Sequence, residues 1–450
     1  MHSMVRIGKE MQLVALIRGF RGPLFALHKV SNTAQEVEMC ARVVITGIGV
    51  VTPVGNGVEE FWQALVSGQS GIGPITLFDT KESPVKIGGE VRGLEFSRYI
   101  ESERCRKMSR TSKLAVVAAK MAVQDSGLHM DEETARNTDV FLGVACPDMH
   151  TIARTIERRI KHGEKSIDPT GANAAVTAAP AGNISIELRI AGEVMTLSTG
   201  CSSSTNAIGY AMQKIRQERS KLILAGGADA GVQMDLVASY ANAHALSTRN
   251  DDPTKASRPF EAHRDGHVLS EASGILVLEE YEHAKARGAQ IYAEICGYGT
   301  SSDCFSMTQV SENPVPASRA IESALADARL DSGRVGYYCA HGSASRLTDT
   351  RETNMLKRAF KERAYRIPIS SIKSMMGHPF GASGVLQVAT CALAIQRGVV
   401  PPTINYDEPD PECDLDYVPN EAREDKPLSA VAYSLGVGGN NAVLALQGSP

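Results

Sequence analysis

The chain has 450 residues, 43% hydrophobic and 22% charged, the proportions of a globular protein that can bury a sizeable core. A net charge of −4, from 47 basic and 51 acidic residues, argues against a general nucleic-acid binder, and no apolar run reaches the roughly 18–20 residues of a membrane span. Nine cysteines form no C-x-x-C pair, which speaks against a zinc ribbon or a thioredoxin-type motif and for a reducing, cytoplasmic compartment.

Residues 1–40 are read as an N-terminal extension outside the fold, a disordered tail or a targeting segment, since the first 30 are basic and amphipathic with Glu10 the only acid. Regular structure opens with the β-branched run 41–51, a buried strand that stops at Pro53. Residues 59–67 repeat apolar positions at helical spacing (Phe61, Leu65) and end at Gly68. Residues 69–104, rich in Gly, Pro and charge, fit an irregular insertion. A helix over 112–127 carries Leu114, Val117, Ala118, Met121 and Val123 along one side, and 139–144 and 222–225 read as strands.

Two segments repeat one pattern. Residues 193–212 and 369–388 are each a short strand, a turn of small residues and an apolar helix, and each is followed by a strand ending in glycines, at 222–229 and 430–441. A two-fold internal repeat joined near 280–291 follows, which divides the chain into halves 41–290 and 291–450. Strands alternating with helices predict α/β layers with parallel pairing.

The chemistry-bearing residues fall at the turns of this repeat. Cys201 sits at the mouth of the first repeat's helix, where unpaired N–H groups and the positive end of the dipole favour thiolate, between the small residues Gly200 and Ser202–Thr205. His378 occupies the turn of the second repeat, and His341 follows the apolar run 335–339, so that it emerges at a strand end. A cysteine or histidine taken alone is more often a core residue; two histidines at such turns beside glycines point to catalysis.

The runs Val44-Ile-Thr-Gly-Ile-Gly49, Thr52-Pro-Val-Gly55, Thr199-Gly-Cys-Ser202, Leu246-Ser-Thr-Arg-Asn250, Ser257-Arg-Pro-Phe260, Ala340-His-Gly342, Lys373-Ser-Met-Met-Gly-His378 and Gly436-Val-Gly-Gly-Asn440 span 41–446 in order. With them the sequence resembles the β-ketoacyl-[acyl carrier protein] synthases of the thiolase superfamily, closest to the type II enzyme of fatty acid synthesis and its polyketide relatives. The resemblance implies a five-layer αβαβα fold built from two pseudo-symmetric halves, and a decarboxylative Claisen condensation. Cys201 would carry the acyl chain as a thioester; His341 and His378 would bind the malonyl thioester carbonyl, with Lys373 in support. The backbone N–H groups of Cys201 and Val437 would form the oxyanion hole, flanked by Gly436, Gly438 and Gly439. Asp349 and Glu352 match acidic positions behind the first histidine, and Thr308 matches a threonine near the pantetheine arm.

The sequence also departs from its relatives. Val437 and His267 stand where phenylalanines are usual, and Leu435 replaces another aromatic, so that His267, Thr308, Leu435, Gly436, Val437 and Gly438 outline an altered pocket and gate. Gln387 replaces the glutamate that pairs with the supporting lysine, which leaves Lys373 without that charge partner. Of the basic cluster Arg104, Arg106, Lys107 and Arg110, the resemblance assigns Arg106 and Lys107 to docking of an acidic acyl carrier protein. It implies no metal and no cofactor of the enzyme's own, because the phosphopantetheine belongs to the carrier. The expected assembly is a homodimer, with a heterodimer as the alternative. A thiolase is disfavoured by the lack of a second cysteine near Gly436, and a non-catalytic partner subunit by the intact Cys201, His341, His378 and Lys373. A ketosynthase of a specialised polyketide or unusual-lipid pathway is the alternative to fatty acid synthesis.

Overall fold

The computed structural model describes residues 41–449. The expectation for residues 1–40 therefore lies outside the described residues. Ten strands form the frame: β1 (Val43–Thr52), β2 (Thr138–Gly143), β3 (Val194–Leu197), β4 (Leu222–Ala230) and β5 (Glu271–Glu280), then β6 (Ala293–Ser302), β7 (Tyr337–Cys339), β8 (Ile369–Ser370), β9 (Ser429–Gly436) and β10 (Asn440–Gln447). Their order is β8-β7-β9-β10-β6-β1-β5-β4-β2-β3. Each set of five thus has the same internal order, third, second, fourth, fifth, first. The two sets meet where β1 and β6 pair antiparallel over Val43–Ile45.

The expected parallel pairing holds for the second, third and fourth strands of each set, whereas the fifth runs antiparallel to both the fourth and the first. For β9 and β10 the cause is the connection, because residues 437–439 make a turn too short for a crossover. The region read as an irregular insertion carries a small hairpin, Ile72–Pro74 with Ile87–Gly89.

Helices complete the layers. α1 (Arg110–Asp125) and α2 (Ala179–Leu188) cover the first set, while α4 (Val315–Asp327) and α5 (Arg346–Phe360) lie on the far side of the second. Between the two sets of strands run α3 (Ser203–Arg216) and α6 (Ser383–Arg397), packed on each other and largely buried. This is the five-layer thiolase-like architecture.

Glycines set the spacing of the outer layers in both halves. A Cβ on Gly47 or Gly49 of β1 would lie 2.4 Å from Ala122 O or 2.0 Å from Ala118 O of α1. A Cβ on Gly297 or Gly299 of β6 would lie 2.1 Å from Ala324 O or Ala320 O of α4. In both places helix and strand backbones touch directly, as only glycine permits. At the centre Gly384 of α6 meets Thr205 of α3, and Ser204 Oγ accepts the Val385 N–H at 3.0 Å. The two central helices therefore cross at their N-terminal turns, which brings the preceding turns of both repeats to one place.

Candidate active site

Cys201 lies between β3 and α3. The helix begins at Ser203, so Cys201 stands two residues ahead of it and is 6% exposed. Hydroxyls lock the turn: Ser202 Oγ donates to Thr199 O at 2.8 Å, Ser203 Oγ donates to Gly200 O at 2.6 Å, and the Thr199 N–H donates to Ser203 Oγ at 2.9 Å. Gly200 has φ 64°, and a Cβ there would lie 2.9 Å from Val437 N, so the Val437 amide borders the Cys201 turn. Gly436 presses closer still, since a Cβ there would lie 2.1 Å from Thr199 O.

The expectation of a resting thiolate is corrected. Burial pushes the Cys201 thiol up to about 12; the Lys373 charge pulls it down, and Asp229 pushes it up. The loss of water around the sulfur is the largest effect and prevails over the nearby helix end. Cys201 rests as a thiol.

His341 and His378 come together on the other side of the same turns, with ring centroids 5.4 Å apart and planes at 89°. The Leu435 N–H donates to His341 Nδ1 at 3.2 Å, so a neutral His341 carries its proton on Nε2. His378 Nδ1 lies 3.1 Å from Ser383 Oγ, whose hydroxyl can donate and leave the same Nε2–H tautomer. Burial, reinforced by Lys373, holds both rings well below the usual histidine range, so both are neutral near pH 7. Successive residues of one strand end tie the groups together, since Leu435 holds His341 while Gly436 and Val437 press on the cysteine turn. Ala344 (φ 64°) and Phe380 (φ 44°), both in left-handed backbone, lie in the two histidine loops, where local strain is held by the surrounding packing.

Lys373, 1% exposed, donates from Nζ to His341 O at 2.6 Å. The charge partner missing at Gln387 is offset in part by other acids. Burial holds the Lys373 ammonium below the usual lysine value, and the carboxylates of Glu352 and Asp349 oppose that loss. Those carboxylates also grip the histidine loop. Glu352 accepts the His341 and Gly342 N–H groups, each at 2.8 Å, and Asp349 accepts Ser343 N–H at 3.0 Å and Phe260 N–H at 2.9 Å. Gln387 has become a buried brace: Nε2 donates to Ala340 O and Tyr433 O, each at 2.7 Å, and Oε1 accepts from Ser434 at 2.7 Å.

His267 joins the histidine pair, its ring 5.7 Å from that of His378. Its Nδ1 lies 2.9 Å from Ser343 O, and since a carbonyl only accepts, Nδ1 bears the proton. Leu435 is buried, but Val437 is 48% exposed. Gly438 N–H donates to Met307 O at 3.1 Å, so the glycine turn rests on the loop that holds Thr308, and Thr308 itself is exposed at the rim.

Arg106 and Lys107 lie exposed along a cleft of about 480 Å³ that Lys113, Arg154 and Arg158 also line. Arg110 is not a free surface charge, for it forms an ion pair at 2.5 Å with the buried Glu271. Sequence reasoning missed Arg154 and Arg158, although their four-residue spacing on the helix Met149–His162 places them on one face. It also missed Asp229, whose buried carboxylate accepts the N–H groups of Ala145, Cys146 and Gly381 at 3.0, 3.0 and 2.6 Å. Burial pushes this acid up to about 7. The signal was an acid closing an otherwise apolar strand at Gly226-Gly-Ala-Asp229.

Layers of this kind, with a buried thiol at the turn of one repeat and paired neutral imidazoles tied to that turn by one strand end, define an acyl-transferring condensing enzyme of thiolase-like fold. The chain belongs to the β-ketoacyl synthase family. Residues 41–284 match the profile "Beta-ketoacyl synthase, N-terminal domain", and residues 292–407 match "Beta-ketoacyl synthase, C-terminal domain". It is 39% identical over 406 residues to 3-oxoacyl-[acyl-carrier-protein] synthase 2 of Coxiella burnetii, covering 90% of this chain and 98% of the relative. The solved ishigamide ketosynthase/chain length factor superposes with TM-score 0.85 at 36% identity, covering 91% of this chain and all of that one. A type II polyketide ketosynthase, solved in complex with its acyl-carrier protein and bound to a hexaketide, superposes with TM-score 0.83 at 33% identity over the same shares.

Proposed function

We propose that this chain condenses an acyl group held on Cys201 with malonyl-[acyl carrier protein], releasing carbon dioxide and a β-ketoacyl carrier product. The single observation that carries this reading is the strand end at 435–437, which holds His341 against one side of the site and the Cys201 turn against the other.

In the first step Cys201 Sγ attacks the carrier-bound thioester. The new thioester forms, the carrier thiol leaves, and the Cys201 proton passes to that leaving sulfur. The Cys201 and Val437 N–H groups would receive the tetrahedral oxyanion. In the second step the Nε2–H groups of His341 and His378 hydrogen-bond the malonyl thioester oxygen. As the bond to the carboxylate breaks, its electron pair becomes an enolate that these neutral donors stabilise. The enolate carbon then attacks the acyl carbonyl, the Cys201 sulfur leaves, and proton uptake restores the thiol. Lys373 keeps both imidazoles neutral and favours the departing thiolate.

The reaction calls for no cofactor of the enzyme's own. The Arg106 and Lys107 cleft suits the acidic carrier. The edge strand β3, paired only to β2 among the described residues and bearing the exposed Val194, suits pairing with a second copy, and a cytoplasmic site of action fits the free thiol nucleophile. Fatty acid synthesis is the expectation inherited from the resemblance, and the relatives include polyketide enzymes as well. His267, Leu435 and Val437 favour the specialised pathway, because they remove aromatic bulk and place an imidazole in the pocket. The test is incubation with a panel of acyl and malonyl carrier proteins, with detection of β-ketoacyl product and carbon dioxide. Turnover of common straight chains favours the fatty acid pathway. Turnover only of unusual chains favours the specialised one. No product from any pair contradicts the proposal.

A further inference from the structure

Three backbone N–H groups from two loops far apart in the chain end on one carboxylate. Asp229 lies at the end of β4, is fully buried, and pairs with no cation among the described residues. Its Oδ1 accepts the Cys146 N–H, and its Oδ2 accepts those of Ala145 and Gly381. Ala145 and Cys146 belong to the loop after β2, in the first half, whereas Gly381 belongs to the turn that follows His378, in the second. A buried charge held by N–H groups alone is a costly tie, and burial accordingly pushes this acid up to about 7. The packing at the tie is close, since a Cβ on Gly381 would lie 2.6 Å from Asp229 Oδ2 and 2.7 Å from Ala145 N.

What the carboxylate ties down is a strained turn. Phe380, directly before Gly381, has φ 44°, a left-handed backbone that a bulky residue keeps only where its surroundings over-determine it. The Phe380 ring stacks on that of His378, with centroids 5.5 Å apart and planes at 20°. The end of β4 seats this ring too: a Cβ on Gly231 would meet it at 2.5 Å, and Tyr240 meets it edge-on at 5.6 Å. The His378 backbone is pinned separately, its N–H to Val268 O at 2.7 Å and its carbonyl to the Ser270 N–H at 3.1 Å. The His378 ring has Ser383 at Nδ1 and Phe380 on one face. That face contact depends on the backbone at 380–381, which Asp229 holds.

From this geometry we infer that Asp229 is a positioning residue for the malonyl step. By tying the Gly381 N–H to the 145–146 loop it keeps Phe380 in its strained conformation and the Phe380 ring against His378, so that His378 Nε2–H is held at the angle the enolate oxygen requires. This rests on the condensing-enzyme reading above and adds to it a residue that acts through another.

The test is Asp229→Asn, which keeps the size of the side chain but replaces one acceptor oxygen with a donor, so that at least one of the three ties is lost. Carbon dioxide release from malonyl carrier protein is measured at about pH 8, where Asp229 is ionised, beside the rate of acyl loading on Cys201 by intact-mass spectrometry. Asp229→Asn should lower kcat for decarboxylation about tenfold, with KM and the loading rate within about twofold of the wild type. Gly381→Ala attacks the same tie from the other side and should give the same split, which keeps the test open if Asp229→Asn does not fold. Phe380→Leu should reproduce the loss, and adding Asp229→Asn to it should cost little more, because both act through one ring. Unchanged decarboxylation in Asp229→Asn and Gly381→Ala, a parallel fall of loading and decarboxylation, or losses that multiply in the double variant overturn the inference and leave the condensing-enzyme reading intact. No carbon dioxide from the wild type overturns both.

Discussion

The two halves share strand order, glycine-mediated helix contacts and a central helix preceded by a turn, yet the two turns do different chemistry. In the first half the turn is short, closed by serine hydroxyls and Gly200, and it delivers Cys201 two residues ahead of α3. In the second half the corresponding connection is longer. It includes the four-residue helix Lys373–Met376 and a further turn at Phe380–Ala382, so it presents a lysine and a histidine before α6 begins. One turn offers a nucleophile and the other offers hydrogen-bond donors and a buried positive charge. On the proposed mechanism, the different length and composition of the two turns divide the reaction between them.

That division can be broken one side at a time. The largest effect is expected of Cys201→Ala, which should lower acyl-enzyme formation and condensation by about 10³-fold or more, read as loss of the mass adduct. His378→Ala should reduce condensation by about 10²- to 10³-fold while the acyl adduct still forms, measured by separate loading and malonyl decarboxylation assays. In the brace within the second half, Gln387→Glu should destabilise by about 3 kcal/mol, because a carboxylate cannot donate to Ala340 O and Tyr433 O; the denaturant midpoint reads this. Gly384→Ala should cost about 2 kcal/mol by the same measurement, since its Cβ would lie 2.0 Å from Thr205 Oγ1 at the helix crossing.

The smallest effect concerns pH. Lys373 lowers both histidines, so Lys373→Met should raise them, and the acid limb of malonyl decarboxylation should move to higher pH. In the wild type that limb should lie below pH 6.5, because both rings are held under the usual value and stay neutral until more acid conditions. An acid limb unmoved by Lys373→Met would remove the electrostatic role given to the lysine.

Much of this was legible because the repeat is written in local pattern. Small-residue turns before apolar helices marked the positions of Cys201 and His378, and β-branched runs marked β1 and β4. What the pattern could not carry was the non-local balance of burial and charge. A helix end suggested a thiolate at Cys201, but the desolvation that overrides it comes from Val232, Val268, Leu269 and Phe380, far apart in the chain. Gln387 suggested a lysine without a partner, and only the packing of α5 shows Glu352 and Asp349 filling that role in part. Asp229 gave no motif, because it matters through neighbours that the fold brings to it.

The most direct test of divided labour is a two-stage mass measurement. Wild type, Cys201→Ala and His378→Ala are first loaded with an acyl carrier protein and then chased with malonyl carrier protein. The account predicts no adduct on Cys201→Ala, an adduct that persists through the chase on His378→Ala, and an adduct that clears to β-ketoacyl product on the wild type. An adduct on Cys201→Ala, or clearance by His378→Ala at the wild-type rate, would contradict it.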